Sequence, residues 1–280
     1  MLTFLNGEII KEEDAKISIG DLSYQFGYGL FETIKATQGL PLFFESHYKR
    51  LTHSAKEIGM SFPVDLKEIE GWIKETLKAN KLQDARIKVI ISKRPEEKFN
   101  VLIIPAKLEP LPESYSLTTK RLIRDPKAIS FCHKTTSRGD SYFAYKEAIE
   151  NGFNDVLYLN EKNELLECSR SNIFLIMEDK IITPHLDLGI LWGTTREKVI
   201  EILKREGATV QEKNVHSLYL NKAKGVFTTS AIISVMPVSK VKTEDKEYTF
   251  LTSITPLQNA YEAEIQDYLR TISANLKSIV

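Results

Sequence analysis

The sequence predicts a fold of two α+β domains, and three observations support this prediction. Segments of strand and helix character alternate along the 280 residues, and hairpin signals are frequent. No strand runs into a GxGxxG turn that opens a helix, so a doubly wound sheet is not expected. The stretch PAKLEPLPES at 105–114 contains three prolines and predicts a linker, 109–116, between an N-terminal domain, 1–108, and a larger C-terminal domain, 117–280.

The N-terminal domain is predicted to begin with a β-hairpin. LTFLNGEII contains Asn-Gly, the strongest short hairpin signal. LFETIKATQGLPLFF predicts a second hairpin near Gly39. Two helices follow, one over ESHYKRLTHSAKEIG and one from Asp65, where Glu68 completes a capping box. ARIKVIIS and FNVLIIP predict two further strands.

The C-terminal domain repeats this mixture of strands and helices. Strands are predicted near 115–123, at DVLYLN, at NIFLIME and at VFTTS, which runs into a loop. Helices are predicted from Asp140 to Asn151, from Thr195 to Glu206, and through most of the tail from Pro256 to Leu276.

Composition excludes several classes of protein. Lys+Arg and Asp+Glu both number 38, so no overall field favours nucleic acid or a membrane surface. The two cysteines cannot build a disulfide framework or a zinc cluster, and no metal site is predicted. The N-terminus lacks the pattern of a signal peptide, so a reduced cytoplasmic location is expected, without contact to membrane.

Two hydroxyl-rich segments are candidate anion sites. LWGTTREKV places Thr194 and Thr195 at a helix start, with Glu197 as the partner of Thr194 in a capping box. Free amides at a helix start suit a phosphate, although plain capping explains the same residues. VFTTSAIIS could present hydroxyls and amides at Ser230, or simply end a strand. Arg50 lies among apolar helix positions, where either a phosphate or a salt bridge would be its partner.

Two further residues could carry chemistry. Lys134 in SFCHKTTSRGD lies between an apolar stretch and a hydroxyl-rich loop. A lysine in a largely buried setting has a lowered pKa and becomes nucleophilic, although most lysines are merely solvated. Glu167 ends the strand LLE, where a glutamate is usually structural.

Taken together, these motifs resemble the class IV aminotransferase family. The resemblance rests on ECSRSNIF, LWGTTREKV, VFTTSAIISVMPV and Lys134, and extends through LNGEII, DLSYQFGYGLFETIK and HYKRLTHSA. It implies the two-domain architecture of D-amino-acid aminotransferase, called fold type IV of the pyridoxal-5′-phosphate (PLP) enzymes. It also implies PLP as cofactor, a small amino compound as substrate and a homodimer.

The resemblance assigns roles to individual residues. Lys134 would form the Schiff base with PLP and shuttle protons. Glu167 would face the pyridine nitrogen and keep it protonated, which makes the ring a stronger electron sink. The other residues expected to bind the cofactor, mostly at its phosphate, are Arg50, Thr194, Thr195, Ser230 and Ala231. Asn172 would shape the loop after Glu167. The expected substrate-binding residues are Phe31, Lys35, Lys88 and Arg138.

The family contains lyases and aminotransferases, and the substrate pocket decides between them. Three features favour a lyase. RIKVIIS lacks the Ile-Arg-Pro typical of branched-chain aminotransferases, and SAIISVMPV is similar to the second phosphate loop of 4-amino-4-deoxychorismate lyase. Gly139 stands where branched-chain enzymes usually have a tyrosine. The short charged loop SKRPEEKFN and the long spacing before Lys134 are unlike the lyase. The lyase is the favoured interpretation. An aminotransferase of branched-chain or D-amino acids is the alternative, and a non-enzymatic relative is disfavoured because Lys134 and Glu167 are both present.

Overall fold

The computed structural model describes residues 1–61, 64–94 and 98–277, except for the side chains of residues 273 and 275–277. It divides the chain into two compact units. The N-terminal unit comprises Met1–Pro110, His133–Ser137 and the chain from Ala263 onward, and the C-terminal unit comprises Leu111–Cys132 and Arg138–Glu262. The first boundary lies in the predicted linker. The Lys134 segment and the chain end group with the N-terminal unit, whereas the sequence suggested 117–280 as one domain.

Hydrogen bonds explain this grouping. The amide of Phe31 donates to the carbonyl of Lys134 at 2.8 Å, which joins the segment to a strand of the N-terminal unit. Near the chain end, the hydroxyl of Tyr268 accepts a hydrogen bond from the amide of Phe44 at 3.2 Å. Local patterns in the sequence cannot reveal pairings between residues so far apart.

The N-terminal unit is a six-stranded sheet covered by two long helices. The strand order is β2-β1-β6-β5-β3-β4, and every pair is antiparallel. Its elements are β1 (Leu2–Leu5), β2 (Glu8–Lys11), α1 (Leu22–Phe26), β3 (Gly29–Thr37), β4 (Leu40–Pro41), α2 (Phe44–Glu57), α3 (Leu66–Ala79), β5 (Ala85–Lys93) and β6 (Phe99–Ala106).

The local signals of this unit are confirmed. Asn6 and Gly7 both have positive φ between β1 and β2, and Gln38 and Gly39 do so between β3 and β4. The capping box of Asp65 and Glu68 opens α3. The buried sides of α2 and α3 pack on one face of the sheet and form a continuous apolar core, since alternate strand residues point to that face.

The C-terminal unit is a nine-stranded mixed sheet. The strand order is β12-β11-β10-β13-β14-β7-β8-β9, and β15 pairs with β14. The bounds are β7 (Tyr115–Arg121), α4 (Ile129–Cys132), α5 (Gly139–Glu150), β8 (Asp155–Leu159), β9 (Leu165–Cys168), β10 (Asn172–Ile176), β11 (Ile181–Pro184), α6 (Thr194–Arg205), β12 (Val210–Lys213), β13 (Gly225–Ser230), β14 (Ser234–Lys242), β15 (Glu247–Thr249) and α7 (Thr255–Lys277). The predicted strands and helices of this region are confirmed to within a few residues.

Within the described part of the chain, no helix has the length and apolar character needed to cross a membrane.

Candidate active site

Lys134 lies on a short extended segment that pairs with β3. Leu30 and Thr135 form an antiparallel bridge, and the amide of Thr136 donates to the carbonyl of Gly29 at 2.9 Å. A Cβ at Gly29 would approach the side chain of Ser23 to 2.9 Å and two other atoms to 3.0 Å. The second glycine of FGYGLFE therefore permits this close backbone approach, which fixes the position of Lys134.

The ring of Phe31 lies close to two lysines. The Nζ atom of Lys134 is 4.6 Å from the centroid of the Phe31 ring, and the Nζ atom of Lys88 is 4.8 Å from it. Thr33 pairs with Lys88 across β3 and β5, which places Lys88 beside Phe31. The structure thus brings together Phe31, Lys88 and Lys134, three of the residues singled out from the sequence.

Lys35 lies further along the same face of the sheet. It is four residues from Phe31 on β3, about 13 Å at the usual strand rise. Its cross-strand neighbour is Arg86. Positive side chains therefore follow this face from Lys134 toward Lys35, as a site for an anionic substrate would require.

Arg50 is buried in α2, and a carboxylate is its partner. Its Nε and Nη2 atoms donate to the two oxygens of Glu32 at 2.7 and 2.6 Å. Nδ1 of His47 donates to the same carboxylate at 2.8 Å. Burial alone would raise the pKa of Glu32, but the charge of Arg50 and these hydrogen bonds outweigh it and lower the pKa to about 2.

Glu32, His47 and Arg50 lie on the side of the sheet that α2 covers. Glu32 alternates with Phe31 along β3, so its side chain points to the face that α2 covers. Burial lowers the pKa of His47, and the nearby charges of Arg50 and Lys134 lower it further, against the effect of Glu32. The phosphate-binding role of Arg50 stays a prediction, since the structure shows this side chain bound to Glu32.

In the C-terminal unit, Glu167 lies among donors. Its Oε2 atom accepts a hydrogen bond from the amide of Leu191 at 3.0 Å and a longer one, 3.5 Å, from Nδ2 of Asn172. Nδ2 of Asn172 also donates to the carbonyl of Leu191 at 3.1 Å. The Glu167 side chain is 12% exposed, so the carboxylate is held in place yet accessible.

Arg124 is a neighbour of Glu167 that the sequence did not identify. One of its Nη atoms is 3.7 Å from Oε1 of Glu167, and the guanidinium lies 4.4 Å from the ring of Phe131. The side chain is 4% exposed. A lone arginine after a strand carries no periodic signal, so its burial beside a carboxylate could be found only from the fold.

The start of α6 differs from the prediction. Gly193 occupies the N-cap position and no side chain caps the helix, so the capping box of Thr194 and Glu197 is wrong. A Cβ at Gly193 would lie 2.0 Å from Oδ1 of Asn172, so a glycine is needed where Asn172 packs against the helix start. The first amides of α6 therefore keep their capacity to bind an anion.

Ser230 and Ala231 lie at the end of β13, a strand that α6 contacts. Ser230 ends β13, and Ala231 begins the turn to β14. Thr229, the preceding residue, pairs with Asn172 across β13 and β10. Its hydroxyl is buried and has no hydrogen-bond partner within the described residues. Thr195 is buried and hydrogen-bonded to Tyr261.

This donor set fits PLP. The uncapped amides at Thr194 and Thr195, with the hydroxyls near Ser230, suit a phosphate. Glu167, in the same C-terminal unit, is a carboxylate that can face a pyridine nitrogen. No group of three or more His, Cys, Asp or Glu side chains within the described ranges could hold a metal ion.

Arg138, the last predicted substrate residue, lies in the C-terminal unit at the start of α5. One of its Nη atoms donates to the carbonyl of Ser169 at 2.5 Å. Its predicted contact with the substrate, like the other predicted site roles, stays a prediction.

The chain is similar to several known proteins. Residues 29–241 match the family described as amino-transferase class IV. A Methanocaldococcus jannaschii protein provisionally named branched-chain-amino-acid aminotransferase is 29% identical, over 86% of this chain and 88% of that protein. Aminodeoxychorismate lyase of Bacillus subtilis is 26% identical over 96% of both chains. A hypothetical aminotransferase from Mycobacterium tuberculosis, solved with PLP, superposes with a TM-score of 0.83 at 19% identity, covering 95% and 99% of the chains.

The family match confirms the resemblance, the fold class and the prediction of an enzyme. It also confirms the cofactor, because class IV aminotransferases use PLP. The chain belongs to the class IV aminotransferases, a family of PLP-dependent enzymes.

Proposed function

We propose that this enzyme is a 4-amino-4-deoxychorismate lyase, which releases pyruvate and leaves 4-aminobenzoate for folate synthesis. The observation that carries the proposal is the position of Lys88 beside Phe31 and Lys134. The substrate has two carboxylates, and Lys88 offers a cation to one of them close to the reacting amine. The lyase-like sequence features and the Bacillus relative of that name support the same activity.

The reaction needs one proton removed and one group expelled. PLP, when bound, would supply an electron sink for the carbon that bears the substrate amine. Lys134 removes the proton from this carbon. The adjacent ring carbon then loses its bond to the enolpyruvyl oxygen, the ring becomes aromatic, and the leaving group takes up a proton to give pyruvate.

Other residues of the chain would hold the cofactor. Glu167 would keep a proton on the pyridine nitrogen, which favours electron withdrawal. The amides at Thr194 and Thr195, with Ser230 and Ala231, would bind the phosphate. The face with Phe31, Lys35 and Lys88 receives the substrate, since an aromatic ring and two cations complement a cyclic dicarboxylate.

The alternative is an aminotransferase of branched-chain or D-amino acids. The Methanocaldococcus relative carries a name of this class, and its identity to this chain is similar to that of the lyase relative. In transamination, Lys134 would serve as the acid that returns the proton, and no leaving group would be expelled. The same lysine serves both reactions, so the assay has to include both kinds of substrate.

The test supplies the purified enzyme with PLP and with aminodeoxychorismate, generated from chorismate and glutamine by the partner synthase. The lyase assignment predicts 4-aminobenzoate and pyruvate in equal amounts. A parallel panel offers L- and D-amino acids with 2-oxoglutarate. Transamination on the order of 10 per second, without 4-aminobenzoate from aminodeoxychorismate, would replace the lyase with the aminotransferase.

A variant of Lys88 tests whether this lysine binds a substrate carboxylate. Lys88→Gln should raise KM for aminodeoxychorismate by about tenfold or more while PLP stays bound, because a carboxylate loses its cation. Lys146→Gln, which changes an exposed lysine on α5, is the matched control and should leave KM unchanged. Equal KM values in both variants would show that Lys88 does not contact the substrate.

We further propose that the enzyme is a cytoplasmic homodimer, as the resemblance implies. The chain has only two cysteines, which suits a reducing compartment and supports this location. Sedimentation at low micromolar concentration should give twice the mass of one chain, and a fully active monomer would refute the dimer.

A further inference from the structure

The turn Cys168–Ser171 determines the spacing of two side chains of the site. It connects β9, which carries Glu167, to β10, which begins with Asn172. The amide of Cys168 donates to the carbonyl of Ser171 at 2.7 Å and closes the turn. Because Glu167 and Asn172 both contact Leu191, a change in the turn would move both of them.

Ser169 anchors this turn with all its polar groups. Its amide donates to the carbonyl of Val156 at 3.0 Å, and its hydroxyl donates to Oδ1 of Asp155 at 2.5 Å. Its carbonyl accepts the hydrogen bond from Arg138. Ser169 is 2% exposed, so these three bonds replace water on a buried residue. The anchors come from two elements, the start of β8 and the start of α5.

The hydrogen bond from Ser169 stabilises the buried carboxyl of Asp155. Asp155 is fully buried, and burial raises its pKa, against the hydrogen bonds from Ser169 and Val156. A buried acid that loses a donor is costly to the folded state. Asp155 therefore holds the Ser169 hydroxyl strongly in one position.

Arg138 binds the backbone carbonyl of Ser169. The guanidinium gives a charge-assisted hydrogen bond to the Ser169 carbonyl. The next residue of the turn, Arg170, stacks on the ring of Tyr145 at 3.5 Å, and Tyr145 also belongs to α5. Two arginine contacts thus join α5 and its N-cap residue to the turn after Glu167.

We propose that Arg138 and Asp155 are positioning residues, which hold the turn through Ser169 and thereby hold Glu167 at the pyridine nitrogen of PLP. This assignment differs from the predicted role of Arg138 as a cation for the substrate. It rests on the role of Glu167 in the proposed function, but not on whether the reaction is a lyase or an aminotransferase reaction.

The test measures the visible absorption of PLP bound to the holoenzyme, titrated with pH in the absence of substrate. Arg138→Ala, Ser169→Ala and Asp155→Ala should each shift the absorption midpoint in the direction given by Glu167→Gln. Arg138→Lys and Asp155→Asn keep a donor and an acceptor, so both should restore the wild-type midpoint. Arg205→Ala, an exposed arginine of α6, is the control and should not change it.

Kinetics separate positioning from substrate binding. A positioning role predicts that Arg138→Ala lowers kcat about tenfold and changes KM less than about twofold. A KM raised tenfold with an unchanged absorption midpoint would overturn the proposal and make Arg138 a substrate cation. A midpoint unmoved in Ser169→Ala and Asp155→Ala would also overturn it. A wild-type enzyme without lyase activity would refute the lyase assignment alone, because the titration needs only PLP.

Discussion

Arg50 and Glu32 form a bidentate ion pair with N···O distances of 2.7 and 2.6 Å, and both side chains are almost completely buried. The pair joins α2 to β3, and His47 adds a third contact. A buried pair of this kind contributes little compared with apolar packing, but removing one partner leaves an uncompensated charge.

The first prediction concerns the two roles of Arg50. Arg50→Ala should lower the free energy of unfolding of the apoprotein by about 3–5 kcal/mol, because Glu32 loses its partner. If Arg50 also binds the phosphate, PLP affinity should fall by about 2–4 kcal/mol. Denaturant unfolding and PLP titration measure the two separately. Glu32→Gln with Arg50→Gln should recover most of the stability, and recovery of PLP affinity as well would exclude Arg50 from the phosphate site.

The second prediction concerns acid. The pKa of Glu32 falls from an ordinary value of 4.5 to about 2 in the folded state. A group with a lowered pKa stabilises the fold above its unfolded pKa, and this stability is lost as pH falls toward 2. Over this range, Glu32 contributes a slope of up to roughly 1.4 kcal/mol per pH unit. Acid unfolding of Glu32→Gln should be less steep, and an identical slope would contradict the assignment.

Local sequence signals predicted the elements of this fold but not their arrangement. Asn6-Gly7 and the Asp65–Glu68 capping box act within a few residues, so their geometry follows from the sequence. The pairing of the Lys134 segment with β3 joins residues far apart in the chain. No periodic pattern encodes such a contact, which is why the domain assignment of Lys134 differed from the sequence-based expectation.

The candidate site shows the same division. Phe31 and Lys88 could be chosen because alternation in a strand determines which side chains share a face. Arg124 could not be chosen from the sequence, because its proximity to Glu167 depends on the path of the chain between β7 and α4. The predicted start of α6 differs from the observed start by one residue, but the predicted capping box is wrong. The cap position requires a glycine because Asn172, on β10, packs against it.

The third prediction concerns Gly193. Gly193→Ala would place a methyl group 2.0 Å from Oδ1 of Asn172, whose amide is held by Leu191. We expect a loss of about 1–3 kcal/mol in the free energy of unfolding, typical of overpacking, together with weaker PLP binding. Adding Asn172→Ala should recover part of the stability, because it removes the clashing atom. No loss in the single variant would mean that Asn172 can move aside freely.

The fourth prediction concerns the charge of Glu167. Glu167→Gln preserves the shape of the side chain and can still accept from the amide of Leu191. It should keep bound PLP but lose most turnover, since a neutral amide does not hold a proton on the pyridine nitrogen. Absorption of the holoenzyme measures retention, and steady-state rates measure turnover. Unchanged turnover would make Glu167 a structural residue.

The fifth prediction concerns covalent attachment at Lys134. The Nζ atoms of Lys134 and Lys88 both lie within 5 Å of the centroid of the Phe31 ring, so the two lysines compete for the assignment. The purified protein should be yellow, and borohydride should fix PLP to the peptide that contains Lys134. Lys88→Gln should still be labelled at Lys134, whereas Lys134→Ala should bind PLP without labelling. Mass spectrometry of the digests locates the label.

Label on Lys88, or protein that stays colourless after PLP is added, would overturn the assignment. The backbone favours Lys134, because its segment is fixed to β3 by two hydrogen bonds, which limits the positions its amine can reach.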